Sequence, residues 1–278
     1  MKKTSIGILI AFVLSSVGIS GVAMAESQDV QDLASWHIEL QFKPYQPKIS
    51  KNAAKQDFYN LMYGDGEPVM TTFATHHYVW DGFGLLGVGG SIGQWKTTGN
   101  TRICEDAQGN NTPCYETDGK DEAAREAQTA LIAASKPGNS RTQLLVIPVG
   151  IEVVYRIDYL NREWNIPLDA YATFGLDYHF WWATTEGSIA ERTLTNDDGT
   201  TETTKGKGAT PGMNASVGVM LDLSFLEPTT ASRGRKNGIA ASYFFFEWNW
   251  SQGDGFSQPN RLDMSSSGWS LGIGMDFL

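Results

Sequence analysis

Side chains of opposite character alternate one for one along segment after segment of this chain, a pattern that fits β-strands with two unlike faces. From Ile166 to Trp182 one face reads Ile166, Leu168, Ala170, Ala172, Phe174, Leu176, Tyr178, Phe180 and Trp182. The other holds Pro167, Asp169, Tyr171, Thr173, Gly175, Asp177, His179 and Trp181. The first face is unbroken and ends in aromatics, while the second carries charge. The same alternation recurs at 36–43, 145–158, 213–225, 240–251 and 269–277. Gly82 to Trp95 is a glycine-rich strand with Leu86, Val88 and Ile92 on one face. Val69 to Trp80 reads as a strand from its Thr, Phe, Tyr and Val content, with its faces unassigned. Eight strands result.

A soluble sandwich alternates too, so period alone does not separate it from a membrane barrel. Two features favour the barrel. The apolar faces finish in aromatic girdles and the charged faces carry small residues and carboxylates, the inverse of a soluble barrel. The connections also alternate in length. Long ones at about 44–67, 96–141, 184–211 and 252–265 are interleaved with an Asp81-Gly82 turn, a short link Tyr159–Asn165 and a medium link Glu227–Gly238. The sequence therefore predicts an all-β fold: an eight-stranded antiparallel up-and-down transmembrane β-barrel with long extracellular loops and both termini periplasmic. Asp121 to Lys136 reads as a short loop helix, acidic at its start and stopped by Pro137-Gly138. It is either packed at the rim or a plug.

Charge and targeting set the setting. With 21 Lys+Arg against 31 Asp+Glu, the net charge of −10 argues against a nucleic-acid partner. The only long apolar run free of charges is Ile6 to Ile19, which excludes a polytopic helical membrane protein. That run follows Lys2-Lys3 and precedes Ala23-Met24-Ala25, so residues 1–25 read as a cleaved signal peptide and 26–278 as the exported barrel domain. The expected partners are outer-membrane lipid and lipopolysaccharide, the barrel-assembly machinery during biogenesis, and an envelope protein complex.

Several short stretches resemble the outer-membrane β-barrel family first described from myxobacteria. They are Trp36-His37-Ile38-Glu39-Leu40 with Pro44-Tyr45-Gln46-Pro47, Tyr155-Arg156-Ile157-Asp158, Ile166-Pro167-Leu168 with Gly175-Leu176-Asp177, Phe244-Phe245-Phe246-Glu247, and Leu262-Asp263-Met264-Ser265 with Gly268-Trp269. Insertions at Thr98 to Arg141 and Glu186 to Thr210 depart from it. The resemblance implies an outer-membrane barrel of unassigned activity and supplies no catalytic residues. The last strand, with Trp269, Leu271, Ile273, Met275 and Phe277 on one face, looks like an assembly signal, although Leu278 follows the phenylalanine.

Residues with chemical capacity are few. Cys104 and Cys114, the only cysteines, sit in one outer loop of an exported chain and are expected to form a disulfide, with free thiols or a metal pair as alternatives. His37, His76, His77 and His179 are assigned structural roles. Residues i and i+2 on a strand lie about 7 Å apart, which argues against a His179–Asp177 dyad. No G-x-S-x-G, H-E-x-x-H or P-loop is present, and no cofactor or enzymatic activity is expected. The interior is expected to hold Glu39, Glu152, Asp158, Asp169, Asp177, Asp222, Glu247 and Asp276 against Lys43 and Arg156. A barrel of eight strands is just wide enough for side chains to fill. The central expectation is therefore a plugged acidic interior, with the loops carrying a structural or binding role. The alternatives are a narrow cation-favouring, porin-like pore and, third, a barrel enzyme acting on lipid or protein.

Overall fold

The computed structural model describes residues 34–49, 58–64, 66–105, 109, 111–112, 134–195, 201–226, 228–256 and 262–278. Eight long strands dominate: β1 (Trp36–Pro44), β2 (Val69–Asp81), β3 (Leu85–Glu105), β4 (Lys136–Ile157), β5 (Leu168–Thr185), β6 (Lys207–Asp222), β7 (Ile239–Gln252) and β8 (Ser266–Phe277). Each pairs antiparallel with its sequence neighbours, and β1 also pairs with β8, from Trp36↔Phe277 to Phe42↔Leu271. That pairing closes the cylinder, so every long strand has two partners and no open edge remains in the wall. The start of β1 and the end of β8 lie at the same end as the three short connections: Gly82–Gly84, a helix α2 (Tyr159–Trp164), and a 3₁₀ turn (Leu223–Phe225) followed by a helix α3 (Pro228–Lys236).

The alternation read from the sequence sorts side chains as expected. Phe174, Leu176, Tyr178, Val217, Val219, Phe244, Phe246, Trp248, Trp269, Ile273 and Met275 are all exposed on the outer wall, and Ile151 is 68% exposed. In water such a belt would forfeit about 25 cal/mol for each Å² left uncovered. The inner faces are small or polar. On β8 the inward residues are Ser270, Gly272, Gly274 and Asp276. A Cβ at Gly272 would collide with the Phe245 ring, and one at Gly274 would lie 2.7 Å from the His37 ring. These glycines leave room for large side chains to cross the narrow lumen.

Several boundaries differ from the sequence reading. Lys96–Glu105 and Lys136–Arg141, expected within a loop, continue β3 and β4 as a paired ribbon out to Ile103↔Lys136. Within the expected 184–211 loop, Ser188–Ile189 folds back on the end of β5, Glu191–Thr195 pairs with Thr201–Lys205, and β6 begins at Lys207. These extensions stand clear of the apolar belt, so neither face is selected to be apolar and the period that betrays a strand fades. The expected helix over 121–136 falls outside the described residues up to position 133, and Lys136, its expected last residue, begins a strand instead. The expected 44–67 loop carries a helix α1 (Phe58–Tyr63). The signal peptide at 1–25 lies outside the described residues.

The faces of β2 are now assigned. Met70, Ala74, His76 and Tyr78 point inward, and a register shift between Tyr78 and Trp80 turns both Val79 and Trp80 outward. That bulge breaks the period within the segment whose faces the sequence left unassigned.

Candidate functional site: the barrel lumen

Three layers fill the cylinder. At the short-turn end Arg156 projects from β4 and is buried. Its Nε donates to Asp169 Oδ2 at 3.0 Å and its Nη1 to Asp276 Oδ2 at 2.8 Å. Nη1 also reaches the Tyr78 hydroxyl at 3.3 Å, and the guanidinium lies over the Tyr243 ring, 4.2 Å from its centre. The His37 ring closes the layer, its Nδ1 2.6 Å from Asp276 Oδ1. A planar five-donor guanidinium can serve two carboxylates and a hydroxyl at once, which a lysine could not do with the same geometry. Tyr78, Leu85, Val154, Tyr171, Met220, Tyr243 and Phe245 pack around it as an apolar seal.

The middle layer is built on Glu247 of β7. Its Oε2 accepts from the Tyr171 hydroxyl at 2.8 Å and from Ser216 Oγ at 2.8 Å; its Oε1 accepts from Ser270 Oγ at 3.1 Å and from Gln41 Nε2. Thr173 and Ser216 hydroxyls meet at 2.7 Å, and His76 Nε2 lies 2.9 Å from Glu152 Oε1. Glu39 Oε2 is 3.4 Å from His37 Nε2, which links the middle layer to the one below. Above Glu247, a polar cavity of about 60 Å³ is lined by Glu39, Lys43, Glu152, Asp177, His179, Asn214 and Glu247, among others. A volume of that order holds a few waters and nothing larger.

The third layer lies at the long-loop end. Tyr45, Tyr59, Met70, Trp95, Leu144, Val146 and Met264 form a buried cluster inside the wall. Tyr45 packs edge-on to Trp95 with ring centres 5.2 Å apart, and its hydroxyl donates to the Met264 carbonyl at 2.8 Å. Trp95 Nε1 donates to the Pro68 carbonyl at 3.0 Å. The connection after β7 is drawn in over this cluster: Met264 N donates to Gly253 O at 2.7 Å, Gly253 N to Ser265 Oγ, and Gly255 N to Pro211 O. Apolar side chains therefore close the lumen at both ends of a polar middle.

The charged residues expected inside are mostly gathered there, with two exceptions. Asp158 lies past the end of β4 at the start of α2, where it meets Arg162 at 3.4 Å; Arg162 also pairs with Asp81 at 2.9 Å. That Asp81 hydrogen bond raises the Arg162 guanidinium above its ordinary value. Asp222 caps the 3₁₀ turn, accepting from Ser224 N at 2.7 Å, and also accepts from Asn161 Nδ2. Both acids end strands, and turn capping claims them in place of the lumen. The objection to contact between His179 and Asp177 also fails. His179 Nδ1 is 3.6 Å from Asp177 Oδ1, because side chains at i and i+2 lean together by far more than their Cα spacing suggests. That distance is an ion-pair contact without a hydrogen bond. Lys43 lines the cavity, 5.9 Å from the Tyr45 ring centre.

Residues that the sequence did not single out complete the network: Gln41, Tyr78, Tyr171, Ser216, Tyr243 and Ser270. Their inward alternation was the only signal. Cys104 ends β3 in a buried position, and Cys114 lies outside the described residues. Among the described residues, no group of three or more His, Cys, Asp or Glu could hold a metal ion.

No family model matches the chain, and no curated protein sequence is similar to it. Three solved structures share similarity over most of its length. They are Ail, the attachment invasion locus protein of Yersinia pestis, in complex with the heparin analogue sucrose octasulfate (13% identity, 88% of this chain and 97% of that one, TM-score 0.31); Neisserial surface protein A (9%, 87% and 96%, 0.37); and a major outer membrane protein from Thermus thermophilus (12%, 88% and 99%, 0.36). The eight-stranded closed barrel rests on this chain's own strand pairings rather than on these likenesses.

Proposed function

We propose that this protein is an outer-membrane barrel of a Gram-negative envelope, non-enzymatic and non-conducting, that presents its long connections at the cell surface for a structural or binding role. The observation that carries this reading is the pairing of an apolar outer belt with a lumen occluded in three layers. A belt of that composition is stable against acyl chains and costly in water. An occluded lumen leaves the loop end as the surface able to meet a partner. On this reading the acids inside serve to hold the wall together: each is tied to partners on other strands, as Asp276 and Asp169 are through Arg156.

The reading extends to biogenesis and setting. The outward stripe Trp269, Leu271, Ile273, Met275 and Phe277 is the element offered to the barrel-assembly machinery, both termini face the periplasm, and residues 1–25 are removed on export. Lipopolysaccharide surrounds the outer half of the belt, and Cys104 and Cys114 staple the ribbon beyond it. The resemblance to the family first described from myxobacteria agrees with this setting. An envelope complex is the natural consumer of a sealed barrel with long surface connections.

The test has two parts. Unheated, detergent-folded protein should migrate ahead of the boiled sample on a gel, as closed barrels do. The same preparation in planar bilayers should give no steady current. A sustained cation-selective conductance would instead establish the acid-lined cavity as part of a narrow pore.

A further inference from the structure

The one concentration of unpaired positive charge on this acidic molecule lies among the described residues at the short-turn end. The helix α3 reads Pro228-Thr229-Thr230-Ala231-Ser232-Arg233-Gly234-Arg235-Lys236. Ala231 and Gly234 are its half-buried positions, and a Cβ at Gly234 would stand 3.7 Å from the Ile239 side chain, so that side faces the barrel. Arg233, Arg235 and Lys236 are all exposed. Among the described residues none of the three has a carboxylate within ion-pair distance, whereas Arg162, the neighbouring cation at this end, is neutralised by Asp81 and Asp158.

Two further observations fix where these cations stand. The chain reaches α3 through Phe225 and Leu226, which are 50% and 67% exposed with no apolar partner to cover them. Phe83, Tyr159 and Trp164 stand exposed on the other short connections, the placement of an aromatic belt at a membrane–water interface. The helix is also held against the wall: Asn237 N donates to Gly234 O, Gly238 N to Arg235 O, and Leu278 N to Gly238 O at 3.0 Å. The cations are thus presented on a short rigid element directly beyond an apolar anchor.

We propose that α3 is an anionic-phospholipid site of the inner leaflet, in which Phe225 and Leu226 enter the acyl region and Arg233, Arg235 and Lys236 bind phosphate headgroups. This rests on the membrane-barrel reading above. A solvated basic turn would need no apolar residues ahead of it, and an acidic soluble partner would not explain them. Each cation near such a surface favours binding by roughly fivefold, so the three together supply a preference of about two orders of magnitude before screening.

The experiment uses the full-length folded barrel and counts retained lipids by native mass spectrometry from micelles mixed with equal phosphatidylglycerol and phosphatidylcholine. The protein is expected to keep phosphatidylglycerol at least tenfold over phosphatidylcholine. The triple variant R233E/R235E/K236E should lose that preference, and K48E, a charge reversal on the first long connection, should keep it. Heat-modifiable migration and insertion into phosphatidylcholine vesicles report separately on the barrel, so a failed fold is distinguishable from a failed lipid site. Equal retention of both lipids by the folded wild type would overturn the proposal. So would a preference that survives the triple reversal, or one that moves instead to a soluble polyanion such as heparin.

Discussion

Replacing Arg156 with methionine removes the only cation that binds Asp169 and Asp276, and it leaves the surrounding side chains in place. Asp169 is fully buried and Asp276 is 2% exposed, so neither carboxylate can recover its hydration without opening the wall. Breaking a buried pair by deleting one partner costs about 3–5 kcal/mol, because the surviving charge stays uncompensated. Here two charges survive, and the Tyr78 hydroxyl and Tyr243 ring lose their contact with the guanidinium as well. Asp276 keeps a second partner in His37, 2.6 Å away, which places the loss near the middle of that range. A loss of about 4 kcal/mol lowers the folded fraction roughly a thousandfold. Reversible urea unfolding in detergent, followed by tryptophan fluorescence, reads it as a lowered midpoint at unchanged slope. The triple variant R156M/D169N/D276N removes the stranded charges and should recover more than half of the loss. If R156M unfolds within about 1 kcal/mol of the wild type, the buried network does not hold the short-turn end together and the layered lumen is wrong there.

Other consequences are open to measurement. Glu247→Leu strands the Tyr171, Ser216, Ser270 and Gln41 donors; at about 1–3 kcal/mol for an unsatisfied buried group, a total of about 3 kcal/mol in the same unfolding assay is expected, and a neutral variant would refute the middle layer. Gly99→Val drives a Cβ into the Met62 carbonyl oxygen, so α1 must leave β3; limited proteolysis should cut within 44–67 in the variant while heat-modifiable migration persists, and an unchanged digest would contradict that packing. Alkylation of folded protein without reductant should leave Cys104 and Cys114 unmodified by mass spectrometry, and reduction should cost about 2–3 kcal/mol; labelled thiols before reduction would rule out the disulfide.

What the sequence yields depends on whether a residue's environment or its register decides its role. Facing is set by environment and repeats every second residue, so Phe174 against Thr173, or Ile273 against Gly274, could be sorted without coordinates. Partnership is set by closure. His37 meets Asp276 and Arg156 meets the same acid only because β8 returns to β1, across sequence separations of 239 and 120 residues that no local pattern encodes. The ends of strands were the hardest to read. Asp158 and Asp222 alternate with the inward set up to the last position, and only the turn that follows diverts them to capping. The ribbon of Lys96–Glu105 with Lys136–Arg141 was hidden for the opposite reason, since water on both faces removes the contrast that marks a strand. On β2 a single bulge at Val79 shifted the phase and obscured the inward position of His76.

The most direct test compares alternate positions along β5. Single cysteines at Ala172, Phe174 and Leu176, and at the inward Thr173 and Gly175, would each carry an environment-sensitive fluorophore in vesicles of brominated lipid, on a background with Cys104 and Cys114 replaced by serine. Strong quenching at 172, 174 and 176 with weak quenching at 173 and 175 is the expected pattern. Uniform quenching, or none at any position in protein that remains soluble without detergent, would mean that the apolar stripe does not meet acyl chains.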